Sequence, residues 1–279
     1  LYPVEVLIVS RFVHFFIHYK CLAKKIYFLL HDARIHNYWI DKALVDCGNP
    51  FFRNIIHNLN KIVCVSHWQK GYFSNFAKIP LNYITVIPNG YNSSNFQNII
   101  LEQKIKNKFI YCSDTSRGLS ILLKIFPTIT NKFPDSTLDI YFGTISPILQ
   151  KEVNKQKNVI FHGKISNKEL ANKLRTSEIW CYPNLTSHET FCLCALEAMA
   201  AGNVIIARKY SGIVETVSDS GILLIAENTQ EYEKLFLHNI FDILENDEKK
   251  KYYQKKAIIR AKIYNWNNIA EQWHKLINN

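Results

Sequence analysis

Short β-branched and aromatic runs alternate with amphipathic or capped helical stretches along the whole chain. That alternation predicts βα units and a parallel sheet. The expected strands are Val4–Ser10, Ile26–Leu30, Lys61–Val65 and Ile84–Ile87, then Lys108–Cys112, Leu138–Phe142, Val159–Phe161, Ile179–Tyr182, Val204–Ala207 and Ile222–Ile225. Several, such as Val204-Ile205-Ile206, are continuous apolar runs, the pattern of strands covered on both faces. Ser66-x-x-Gln69 and Ser166-x-x-Glu169 read as capping boxes that open helices. Gly202, after Ala198–Ala201, reads as a helix stop. No repeat of fixed period is present.

The stretch Tyr91–Lys108 is rich in Asn, Ser, Gln and Lys and separates about four expected strands from about six. It is the best domain boundary. The tail from Asn246 to Asn279 is helical and basic, with Lys249–Lys251, Lys255 and Lys256, a charge run that reads first as a solvated face.

A length of 279 residues suits two domains or one large one. Charged residues make up 20% and hydrophobic ones 48%, which argues against disorder. The net charge of +11 favours an acidic partner, such as nucleic acid, anionic lipid or a phosphorylated substrate, without choosing among them. The longest apolar stretch, Val4 to Ile17, is broken by Glu5, Arg11 and His14, so no membrane span or signal peptide is expected. The first residue is Leu1 and the single methionine is Met199, so the chain reads as an interior or processed piece of a longer one. Its cysteines, Cys21, Cys47, Cys64, Cys112, Cys181, Cys192 and Cys194, form no C-x-x-C pair. Reduced, buried thiols in a reducing compartment follow, rather than disulfides or zinc.

Common chemical fingerprints are missing. There is no G-x-G turn, Walker A loop or G-x-S-x-G elbow. His14 and His18 lack the glutamate of a zinc helix and read as structural. The aromatics are not interleaved with basic residues in loops, so no specific nucleic-acid binding is expected. One segment stands apart, Tyr182 to Gly202. A strand ends at Tyr182, a polar loop follows, and an apolar helix is expected to begin near Thr190 or Phe191. Glu197 is that helix's only charge. An unpaired buried carboxylate costs several kcal/mol, so Glu197 is expected to have a salt bridge, to lie at a partly exposed edge, or to accept from ligand hydroxyls. Glu189 sits at the helix start, where free N–H groups suit an anion such as phosphate.

Glu189 and Glu197 resemble the Glu-x7-Glu motif of the group 1 retaining glycosyltransferases of the GT-B fold, family 4 type. Val159–Ile165 with Glu169-Leu170, the link Ile87-Pro88-Asn89-Gly90 with Phe96, the turn Ile110–Leu119 and the closing helix Trp266–Trp273 are similar to that family in the same order. The resemblance implies an α/β fold of two Rossmann-like parallel-sheet domains, the first one incomplete. It places an acceptor-side domain at 1–95, a nucleotide-sugar-binding domain at 96–262, and a helix crossing back to the first domain at 263–279. It implies sugar transfer from a nucleotide-diphosphate donor to an acceptor hydroxyl with retention of anomeric configuration.

In that scheme Glu197 holds the ribose hydroxyls. Glu189, with the N–H groups of Thr190 and Phe191, holds the donor sugar and diphosphate. Arg117 pairs with the diphosphate, for which its planar fork is suited, and Ser113 adds a hydroxyl. His31 stands where the family has a histidine facing the donor sugar. Only one basic residue lies in the phosphate turn, so either Lys209 or Lys164 compensates or diphosphate binding is weak. The nucleotide sugar is a substrate; no cofactor or metal is implied. The acceptor is a glycan, lipid or protein. A cytoplasmic location follows, with peripheral membrane contact through the basic surface left open. A non-catalytic nucleotide-sugar-binding fragment and a GT-B epimerase remain as alternatives.

Overall fold

The computed structural model describes residues 4–12, 15–18, 23–33, 50–226 and 228–279, apart from the side chains at 17, 18 and 50–53. His14, Cys21 and Cys47, and the side chain of His18, lie outside it.

In chain order the elements are β1 (Val4–Ser10), α1 (Phe15–His18), β2 (Ala23–Leu30), α2 (Pro50–His57), β3 (Lys61–Cys64), α3 (His67–Ala77) and β4 (Ile84–Val86). Then come β5 (Lys108–Tyr111), α4 (Leu119–Lys132), β6 (Thr137–Tyr141), α5 (Pro147–Asn154), β7 (Val159–Gly163), α6 (Asn167–Thr176) and β8 (Ile179–Tyr182). The last are α7 (Leu193–Ala200), β9 (Val204–Arg208), α8 (Ile213–Val217), β10 (Ile222–Leu224), α9 (Thr229–Glu245), α10 (Asp247–Ala261) and α11 (Trp266–Asn278). All ten expected strands are present. The one notable change of bounds is β2, which begins at Ala23 because its polar start has partners. Lys24 pairs with Glu5 of β1 at 2.7 Å, and Lys25 donates to the Ile277 carbonyl of α11.

The chain forms two compact units. The first holds Leu1–Gly90, His188–Phe191 and Asn267–Asn279; the second holds Tyr91–Ser187 and Cys192–Trp266.

In the first unit the sheet order is β1-β2-β3-β4, all parallel. Its core joins Phe28, Leu30, Ile62 and Cys64 of the sheet to Phe73 and Ala77 of α3 and Ile55 of α2. α11 belongs to this unit from Asn267 onward. The rings of Tyr27 and Trp273 meet edge to face at 6.3 Å, and the Tyr27 hydroxyl donates to the Leu276 carbonyl at 3.2 Å.

In the second unit six parallel strands run in the order β10-β9-β8-β5-β6-β7. The chain builds outward from β5 in one direction and from β8 in the other. The crossovers therefore reverse between β5 and β8, and the crevice beyond their carboxyl ends is where such sheets bind ligands. β5, β8 and β9 are buried from end to end but for Lys108 and Arg208, as continuous apolar runs require. Ser166 and Glu169 form the complete capping box of α6. Gly202, at φ +74°, ends α7 as expected.

α4 has a proline at its centre. Pro127 has no N–H, so the Leu123 carbonyl one turn earlier loses its helical partner. The Gln156 side chain, beyond α5, donates Nε2 to that carbonyl at 3.0 Å.

Candidate functional site

In the second unit, the turn after β5 is built by its own polar side chains. Asp114 Oδ1 accepts from the Ser116 N–H at 2.9 Å and the Ser116 hydroxyl at 2.7 Å. Those hydrogen bonds hold the Asp114 carboxyl below its usual range. The Tyr111 hydroxyl donates to the carbonyls of Asp114 and Arg117 at 2.7 and 3.0 Å and closes the turn from beneath. Ser113 is buried and Arg117 half-buried, and both lie on this turn. Gly118 completes it at φ +88°. Its α-carbon approaches the loop after β8 so closely that a Cβ would lie 2.2 Å from the Pro183 carbonyl oxygen. The two carboxyl-end loops at the crossover reversal therefore touch through a glycine.

The loop after β8 is organised by Asn184, which is buried. Its Oδ1 accepts from the N–H groups of Thr186 and Ser187 at 3.1 and 3.2 Å, and its Nδ2 donates to the Ser187 carbonyl at 3.0 Å. Arg208, at the end of β9, donates to the Leu185 carbonyl at 3.0 Å and lies over the Tyr210 ring at 4.4 Å. Sequence reasoning passed over both residues. Their signal was position, since each follows or ends a strand beside the crossover reversal.

α7 begins later than expected, at Leu193 rather than at Thr190 or Phe191. Cys192 precedes it in the left-handed region, φ +69°, which breaks the helical path before the first turn. The N–H groups of Thr190 and Phe191 thus precede the helix. Glu197 is half-buried on the one charged position of α7. Among the described residues its side chain has no hydrogen bond or ion pair, and burial pushes its carboxyl up from the ordinary value. Next to Ser113, the Cys112 thiol is pushed up by hydrogen bonding with Cys194, by burial and by the Glu197 charge. Lys164 and Lys209 are exposed.

In the first unit, His31 follows β2 and its carbonyl accepts from the Thr190 hydroxyl at 2.7 Å. Segment 188–191 belongs to this unit, and Glu189 and Phe191 within it are buried. Burial holds the His31 imidazole below its ordinary value, helped by the Arg11 charge and opposed by Asp32. Its neutral form is thereby favoured. Arg11 and Asp32 pair at 3.1 Å beside it.

Gln69 holds the carbonyls of the two residues that flank His31. It is fully buried on α3, and its Nε2 donates to the carbonyls of Leu30 and Asp32 at 3.1 and 2.8 Å. Its Oε1 accepts from the Val65 N–H at 2.7 Å. The expected capping box is half present, because the Gln69 N–H does meet the Ser66 hydroxyl at 3.0 Å while its side chain turns inward. Gln69→Leu leaves two buried backbone groups and one half-buried one without this partner and should destabilise the first unit by about 2–4 kcal/mol. A urea melt followed by tryptophan fluorescence measures this; an unchanged midpoint would contradict it.

Residues 93–260 match the profile of the family described as glycosyl transferases group 1. The chain is 24% identical over 159 residues to a phosphatidyl-myo-inositol mannosyltransferase of Mycobacterium tuberculosis (strain CDC 1551 / Oshkosh), covering 56% of this chain and 42% of that protein. It is 24% identical over 238 residues to a subunit of the human phosphatidylinositol N-acetylglucosaminyltransferase, covering 78% of this chain and 45% of that one. The chain thus spans less than half the length of either. Among solved structures, sucrose-phosphate synthase from Thermosynechococcus elongatus superposes with a TM-score of 0.73 at 19% identity, over 99% of this chain and 73% of that one. At that identity the likeness is one of fold.

Proposed function

The chain belongs to the group 1 glycosyl transferases, and on that footing we propose that it transfers a sugar, with retention of configuration, from a nucleotide-diphosphate donor to an acceptor hydroxyl. Glu197 carries the reading. A half-buried carboxylate with no partner among the described residues, on an otherwise apolar helix beside the crossover reversal, is satisfied by two vicinal hydroxyls of a ribose. Arg117 and the N–H groups of its turn take the diphosphate, and the Ser113 hydroxyl adds a contact. Glu189, with the N–H groups of Thr190 and Phe191, takes the donor sugar and its phosphates. The neutral His31 imidazole offers one donor and one acceptor to the sugar.

In the reaction the acceptor hydroxyl oxygen bonds to the anomeric carbon as that carbon's bond to the phosphate oxygen breaks, and the hydroxyl proton passes to the departing phosphate oxygen. Charge grows on the departing diphosphate. A guanidinium and fixed N–H dipoles stabilise it without reorganising at the moment of reaction. The nucleotide sugar enters as substrate, and the scheme calls for no metal. The acceptor is a glycan, lipid or protein hydroxyl; the two relatives named above carry a phosphatidyl-linked inositol in their names, which points first to a lipid. Among the described residues no helix is long and apolar enough to cross a membrane.

The test is incubation of the protein with UDP- and GDP-sugars and candidate acceptors, with products resolved by mass spectrometry and the new linkage read by NMR. Transfer with the donor's anomeric configuration is expected. An epimerised nucleotide sugar, or nucleotide binding with no transfer to any acceptor, would assign the chain instead to an epimerase or a binding fragment.

A further inference from the structure

α10 has one buried side and one exposed side, on which Tyr252 meets Lys256 and Tyr253 of the same helix. Lys250, Gln254, Ala257 and Ala261 face inward. On the other side Tyr252 is 54% exposed, Ile259 66% and Ile263 50%, and Trp266, which opens α11, is 51% exposed. Positions 252, 255 and 259 follow the spacing of a single helical face, and the exposed Lys251, Lys255 and Lys262 stand beside the apolar side chains. Acidic groups nearby are already engaged: Asp242 by Lys249, Asp219 by Lys256 and Asp247 by Lys250. Glu248 alone among the α10 acids is left to offset the lysines.

Single exposed apolar residues need no explanation. Four large ones strung along one helix and its following turn, with lysines between them, do. We propose that this face seats the second unit on an anionic lipid surface. Tyr252, Ile259, Ile263 and Trp266 enter the headgroup layer, where amphipathic rings and aliphatic tips are favoured. Lys251, Lys255 and Lys262 meet lipid phosphates, their stems lying along the apolar strip. Charge selects this occupant. A second copy of the same face would bring lysines against lysines within a chain of net charge +11. Nucleic acid would satisfy the lysines but leave Ile259 and Ile263 against phosphates. This surface lies wholly within the second unit and does not rest on the donor-site reading.

The experiment is co-sedimentation of the full chain with vesicles of phosphatidylcholine alone and of phosphatidylcholine mixed with phosphatidylglycerol, at low and high salt. Binding to the mixed vesicles alone, weakened by salt, is expected. Lys251→Gln with Lys255→Gln should lower the partition coefficient roughly 30-fold, about fivefold for each charge. Ile259→Glu with Ile263→Glu should lower it by at least about tenfold. Bromine-labelled lipid should quench part of the tryptophan emission of the parent, a part absent in Trp266→Phe. All these side chains are exposed, so melting curves should match the parent's and show that each variant folds. Failure of the parent to bind the mixed vesicles, equal binding to both kinds, or binding untouched by the variants would overturn the proposal. A dimer that Ile259→Glu dissociates, without vesicle binding, would assign the face to a second copy instead.

Discussion

Glu197→Ala is expected to lower affinity for the nucleotide that the parent binds by about 10- to 100-fold, because charge-assisted hydrogen bonds worth about 1.5–3 kcal/mol are lost. Titration calorimetry with UDP and GDP measures it. A structural ion pair would behave in the opposite way, costing stability and sparing affinity. The pH dependence separates the two further. Burial raises the folded-state pKa of Glu197, so the protonated form favours the fold. Its contribution is complete below the unfolded value, about 4.3, and is lost as pH rises through the raised folded value. Glu197→Gln should therefore melt with the parent near pH 4 and above it near pH 8. Ribose hydroxyls donate more strongly to the charged form, so the parent's nucleotide affinity should climb across the same interval. Unchanged affinity in the alanine variant, or a glutamine variant less stable at pH 8, would rule out the ribose assignment.

Gly118→Ala should produce the largest loss of stability of any single methyl group added to the second unit's ligand-facing loops. Two penalties act together. An alanine at φ +88° costs about 1–2 kcal/mol of backbone strain. Its Cβ would also lie 2.2 Å from a backbone oxygen, that of Pro183, which cannot rotate away as a side-chain tip would. Separation of the two loops is the only relief. A total of about 3–5 kcal/mol is expected, read as an earlier thermal transition of the second unit, with weaker nucleotide binding at temperatures where it remains folded. A melting point within a degree or two of the parent's would show that the loops part freely.

The strands were legible because a doubly covered parallel sheet writes itself as apolar runs; Val204-Ile205-Ile206 and Ile179–Tyr182 are buried throughout. The helix stop at Gly202 and the capping box at Ser166 were legible because their partners are at most a few residues away. Gln69 was not. Its Leu30 and Asp32 partners lie 39 and 37 positions earlier, and the local spacing offered a plausible cap instead. The start of α7 was misplaced for a similar reason. Cys192 has no preference for left-handed backbone, and what fixes the preceding segment includes the Thr190 bond to the His31 carbonyl, 159 positions away. Glu197 was visible because a charge in an apolar helix violates the pattern around it. Arg208, also charged but at a strand end, violated nothing.

Pro127 has a consequence for the order in which the second unit assembles. A helix normally completes its ladder from its own residues, but the Leu123 carbonyl in α4 waits for a donor 33 positions downstream. Until α5 is in place and Gln156 arrives, that turn holds a polar group which, once buried unpaired, costs about 1–3 kcal/mol. The middle of α4 therefore matures late, with the α5–β7 segment and not ahead of it. In native-state hydrogen exchange the amides around Leu123 and those of β7 would open as one cooperative unit, a long-range coupling written by one missing N–H.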